Sequence, residues 1–219
     1  MTTFERDLLT AARIIVYQGL ADAFAHLSIR LPDGEQMLFM PAKSPALLQK
    51  EELFTIGIEE EARQASVHQA VYCHRPDAGA VVHTHSPNVI CLSVLGQTVE
   101  PIHNYSAIFY EGVPFCDRVG HMRYGGGAAE IARTLGGRKA VIQKGHGAVT
   151  VGSNIQEACL LAIFLEESAD YLMAALSCGE PQRLSWDEAQ RVAGETFGPR
   201  SVTRAWEHFS SLALREFPL

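Results

Sequence analysis

Apolar positions near the start of the chain recur at helical spacing. Leu8, Leu9, Ala12, Ile15 and Val16 fall on one stripe, and Gly19, a helix-ending residue, follows. The spacing predicts a helix over residues 4–18. The period then shortens: Leu27–Arg30 and Gln36–Met40 flank the turn triplet Pro32-Asp33-Gly34 and read as a hairpin. Helical spacing returns over about Ile58–His74 until Arg75-Pro76-Asp77 stops it, because the residue before a proline is pushed out of the helical region. Ala80–His83 is a strand, and a short helix over about Asn88–Leu95 follows Pro87. Val99–His103 and Val113–Cys116 have strand character, and Gly125-Gly126-Gly127 precedes a helix near Ala128–Leu135. The strand Ala140–Gln143 enters Gly145-His146-Gly147 and leaves as Ala148–Val151; helices over Asn154–Leu176, Ser185–Ala193 and Val202–Leu214 finish the chain. The sum is an α/β fold with a mostly antiparallel central sheet flanked by helices. No repeat or Pro/Gly-rich linker divides it, so residues 1–219 read as one domain.

With 219 residues, 47% of them apolar, the chain can bury a sizeable core. A net charge of −7 without any run of Lys or Arg gives no electrostatic footprint for nucleic acid or an anionic membrane, which leaves a small molecule as the expected partner. The longest apolar segment, ACLLAIFLEESADYLMAALSC, is interrupted by Glu166, Glu167 and Asp170, so it reads as a buried amphipathic helix and no membrane span. Glu5, Arg6 and Asp7 precede any apolar stretch, unlike a signal peptide, and the expected location is cytoplasmic. The cysteines are odd in number and form no CxxC pair, which argues against a disulfide framework or a zinc knuckle.

Two stretches carry candidate chemistry. In GAVVHTHSPNVI, His83 and His85 share a face of an extended strand while Thr84 points away. In Gly145-His146-Gly147, glycines on both sides of a histidine let the backbone approach another group closely and leave the imidazole uncovered. Three neutral imidazoles with open positions form a catalytic zinc arrangement and suit other divalent first-row metals. Two satisfied polar groups ending a buried strand are the competing reading.

The order of these features resembles the class II aldolase/adducin family. The matching text is HQAVYCHRPDAGAVVHTHSPNVI and AVIQKGHGAVTVGSNIQEACLLAIFLEESADYL, within a likeness that runs from YQGLADAFAHLSIRLPDG to RAWEHF. The resemblance implies the family's three-layer αβα fold. It also implies one divalent metal per chain on His83, His85 and His146, most often zinc, with manganese or cobalt in some members, and a homotetramer with active sites between adjacent subunits. A metal chelating two substrate oxygens stabilises an enolate, so that a neighbouring carbon–carbon bond can be made or broken.

The departures narrow the chemistry. Four residues before His68, family aldolases carry an acidic acid/base, and this chain has Gln64, whose amide cannot move that proton. Where sugar-phosphate members bind phosphate, this chain reads Ala25-His26 and Ala62-Arg63. DAFAHLSIRLP instead resembles a subgroup containing decarboxylases of hydroxylated aromatic or pyridine dicarboxylic acids. His26 is the expected substrate contact on that loop, with Lys43, Ser44 or Arg63 as carboxylate-binding candidates. Protonation after CO2 loss needs a donor from PIHNYSAIFYEGVP, where Tyr105 is preferred and His103 and Tyr110 are alternatives. His68 and His121 are read as structural. The expectation is a metal-dependent decarboxylase of a non-phosphorylated hydroxylated acid; the alternatives are an aldolase acting on a small hydroxy-carbonyl compound and a non-catalytic, adducin-like scaffold.

Overall fold

A computed structural model describes residues 1–60, 65–121 and 126–219. Its helices are α1 (Thr3–Tyr17), α2 (Ser66–His74), α3 (Pro87–Val94), α4 (Gly127–Leu135), α5 (Ile155–Cys178), α6 (Trp186–Thr196) and α7 (Pro199–Glu216). The strands are β1 (His26–Arg30), β2 (Gln36–Phe39), β3 (Phe54–Gly57), β4 (Ala80–Thr84), β5 (Phe115–Cys116), β6 (Ala140–Gln143) and β7 (Gly147–Gly152). They form one sheet in the order β3-β2-β1-β4-β7-β6-β5, antiparallel throughout except for the β5–β6 pair. The mostly antiparallel sheet between helices is thus as expected.

Alternation along the strands divides the core into two layers. Leu27, Ile29, Ala80, Val82, Ile142 and Ala148 pack with α1 and α5, whereas Met37, Phe39, Val81, Val141 and Val149 pack with α2 and α4. His26 and His83 are direct partners across β1 and β4, and His83 lies two residues from Val81, so both imidazoles belong to the α2/α4 face.

The helix expected from Ile58 begins only at Ser66 among the described residues. Before it, Phe54–Gly57 pairs with β2 as an unanticipated strand. The chain then turns: Glu60 Oε2 accepts from Gly57 N at 3.1 Å, and the Gln69 amide donates to the carbonyls of Gly57 and Glu60. Val99–His103 forms no strand; Pro101 lacks an N–H, and its carbonyl accepts from Leu184 N at 2.8 Å instead. Of Val113–Cys116, only Phe115 and Cys116 are paired.

Candidate metal centre

The centre lies where β4 and β7 run out. Their last ladder pair is Thr84 with Ala148, which leaves His85 and His146 just beyond the strand ends and His83 inside. The turn before β7 depends on its glycines: Gly145 has φ of 61° and Gly147 of 148°, and a Cβ on Gly147 would lie 2.0 Å from Thr84 O. That close approach draws the His146 turn against the end of β4.

Ring centroids of the three histidines are 5.0 Å apart for His83–His85, 5.2 Å for His83–His146 and 4.9 Å for His85–His146. One ligand atom from each lies within 4.8 Å of the others. A common zinc ion about 2.1 Å from each nitrogen requires separations below about 4.2 Å, so small side-chain rotations complete the set. His83 is 5% exposed, and its Nδ1 lies 3.0 Å from Ala148 O. A carbonyl only accepts, so Nδ1 carries the proton and Nε2 is left as the electron-pair donor. Burial holds the His83 pKa well below the usual imidazole range; His85, His146 and His26 push the same way, against the Ala148 bond. Burial lowers His85 too, with Asp22 opposing and His121 assisting. Neutral imidazoles are what metal ligation requires, so the donor set fits a divalent cation.

His26, the expected substrate contact, stacks on His83 at 6.3 Å and on Phe39 at 5.8 Å. Beneath it, His68 meets His26 edge-on at 6.4 Å, and its Nδ1 shares a 2.7 Å hydrogen bond with Ser28 Oγ, which bonds Tyr72 Oη at 2.8 Å. His121, read as structural, lies 6.1 Å from His146, and the exposed Phe24 ring lies 6.5 Å from His85. Only the placement of Phe24 in the DAFAHLS loop signalled its proximity; His121 carried no sequence signal.

The other candidates are scattered. Lys43 is engaged by Glu52, at 2.6 and 2.7 Å to its two oxygens. Ser44 precedes the 3₁₀ turn Pro45–Leu47 without capping it, and buried Arg13 ties that segment to α1 through the carbonyls of Pro45 and Leu48. Arg63 and Gln64 lie outside the described residues. His103 packs on Tyr171 at 4.9 Å and Tyr105 on Phe164 at 4.4 Å, both from α5, while Tyr110 meets Trp186 at 4.9 Å. Among the described ring contacts, none joins these three to the triad.

Known proteins resemble this chain along most of its length. A 5-methylthioribulose-1-phosphate/5-deoxyribulose-1-phosphate aldolase of Rhodospirillum rubrum is 33% identical over 198 residues, 84% of this chain and 87% of the relative. A 3,4-dihydroxyphthalate decarboxylase of Arthrobacter keyseri is 24% identical over 222 residues, 90% and 89% of the two chains. The structure of an L-fuculose 1-phosphate aldolase from Glaciozyma antarctica PI12 superposes with a TM-score of 0.85 at 21% identity, covering 97% of this chain and 89% of that one, and so shares the fold. Residues 6–173 match the Class II Aldolase and Adducin N-terminal domain, and the chain belongs to the class II aldolase/adducin family.

Proposed function

We propose that the chain is a divalent-metal-dependent carbon–carbon lyase that decarboxylates a non-phosphorylated, hydroxylated aromatic or heteroaromatic carboxylic acid. The convergence of His83, His85 and His146 within 4.8 Å carries the reading. A divalent cation held there, zinc by preference with manganese or cobalt as substitutes, supplies Lewis-acid stabilisation of negative charge developing on substrate oxygens. His83 contributes Nε2, its Nδ1–H being engaged by Ala148. His26, one strand over, flanks the substrate.

Gln64 in place of a carboxylate supports decarboxylation. The carboxyl group leaves as CO2, its bonding electrons pass into the substrate ring or carbonyl, and no base is needed to take a proton. Ser44 or Arg63 orients the departing carboxylate, with Lys43 joining only if its pair with Glu52 opens. A proton must then reach carbon, and we assign this to Tyr105, with His103 as the alternative. Because these two lean on α5, the assignment requires a neighbouring subunit, in a homotetramer with sites between chains. The expected location is cytoplasmic, and among the described residues no helix is long and apolar enough to cross a membrane.

A class II aldolase acting on a small hydroxy-carbonyl compound is the second reading, favoured by the 33%-identical aldolase relative. Elemental analysis of chelator-free protein beside His146→Ala comes first, followed by assays of CO2 release from hydroxylated aromatic acids and of aldol cleavage of small hydroxy-carbonyl compounds, free and phosphorylated. About one metal per chain, lost in the variant, with CO2 release supports the proposal. Metal with carbonyl products and no CO2 selects the aldolase. Absence of metal from both samples points to a non-catalytic, adducin-like binding protein.

A further inference from the structure

Helix α3 touches the candidate centre at both ends. It begins two residues after His85, and Glu166 of α5 accepts at its first turn. Oε1 takes Asn88 N at 2.9 Å and Asn88 Nδ2 at 3.0 Å, and Oε2 takes Val89 N at 3.0 Å. At the other end, the fully buried Ser93 hydroxyl donates to Ile90 O at 2.7 Å and accepts from Gly145 N at 2.8 Å, beside His146. The β4–β7 ladder does not itself pair the two histidines, because both lie just beyond its last pair. Helix stability alone does not call for the second Ser93 bond: Ser177 makes the same local bond, to Ala174 O at 2.7 Å, without reaching another element.

We propose that α3 is a brace, anchored by Ser93 and Glu166, that holds His85 and His146 at ligating distance. Both anchors are positioning residues, and the proposal rests on the three-histidine metal reading. A ligand set held in place by hydrogen bonds behind it binds metal more tightly than one that must be gathered.

The test titrates metal-free, full-length protein with Zn2+ against a chromophoric chelator, and with Co2+, whose visible band reports coordination geometry. Ser93→Ala should bind about 10–100-fold more weakly, with a weaker Co2+ band. Ser93→Thr, which restores a hydroxyl, should recover most of the affinity, and Ser177→Ala should match the parent. Glu166→Gln sets an amide N–H against one of the backbone N–H groups it must accept and should also weaken binding. If Ser93→Ala proves unfolded without metal, as judged by thermal unfolding, Glu166→Gln decides. Parent-like affinity, within about twofold, in the folded variants would overturn the brace, as would an equal loss in Ser177→Ala. A parent that binds no metal overturns the three-histidine reading itself and the brace with it.

Discussion

The two faces of the sheet carry their polar groups in different ways. On the α2/α4 side, His26 and His83 are paired residues of adjacent strands, with His85 and His146 at the strand ends. Backbone hydrogen bonding fixes where these groups stand, and one chain assembles them. On the α5 side, His103 and Tyr105 ride on a stretch without strand pairing, and Tyr105 is 39% exposed. The position of His83 is therefore a property of the ladder, and His85 and His146 follow it just past the strand ends of the same chain, whereas proton delivery from Tyr105 would depend on how copies of the chain meet.

Removing a triad member breaks the first face outright. His83→Ala or His146→Ala should abolish metal binding and turnover, as read by elemental analysis; either variant with full metal content would refute the assignment. Backbone substitution comes next. Gly147→Ala places a Cβ 2.0 Å from Thr84 O at a φ of 148° and should destabilise the chain by about 3 kcal/mol in denaturant unfolding. At Gly145, with φ of 61°, the new Cβ meets only Val94 Cγ1 at 3.9 Å among the described residues, so Gly145→Ala should cost about 1 kcal/mol. Equal costs would mean that the approach to Thr84 does not organise the turn.

Acid should loosen the same face more gently. His83 and His68 have pKa values well below the usual range, chiefly because burial disfavours the imidazolium. The unfolded chain takes up protons near pH 6.5 while the folded chain refuses them, so stability is level above that pH and falls as pH drops below it toward the folded-state values. The Tm of metal-free protein should therefore decline between about pH 7 and pH 5. A flat profile would show that these rings are not held neutral.

Much of this was legible in the sequence, and the gaps have physical causes. Apolar alternation and turn residues located β1, β2, β4, β6 and β7 to within a residue or two, because strand period is a local property; His-x-His and Gly-His-Gly marked three candidate ligands, and the family resemblance joined them into one set. Phe54–Gly57 was hidden because Phe-Thr-Ile-Gly abuts an acidic run that reads as the start of a helix. Val113–Cys116 was legible as a strand, but the parallel pairing of Phe115 and Cys116 with β6 was not, because no local pattern encodes a partner far along the chain. His121 comes within 6.1 Å of His146 through tertiary approach alone. The ion pair that engages Lys43 was equally invisible, since Glu52 stands among other acidic residues with nothing to distinguish it.

The smallest effect on the folded chain should come from Tyr105→Phe. Tyr105 is half-exposed, and its ring keeps the 4.4 Å stack on Phe164 whether or not it carries a hydroxyl. Stability should change by no more than about 0.5 kcal/mol, and metal content should stay at the parent level. Turnover is where the two faces of the sheet come apart. If the Tyr105 hydroxyl protonates carbon after CO2 departs, kcat should fall about 100-fold or more while the triad stays loaded. Mixing Tyr105→Phe subunits with inactive His146→Ala subunits should then restore part of the activity, because a mixed interface can join an intact triad to an intact tyrosine. Unchanged turnover in Tyr105→Phe would remove that residue from the chemistry and leave His103 to be tested by the same mixing experiment.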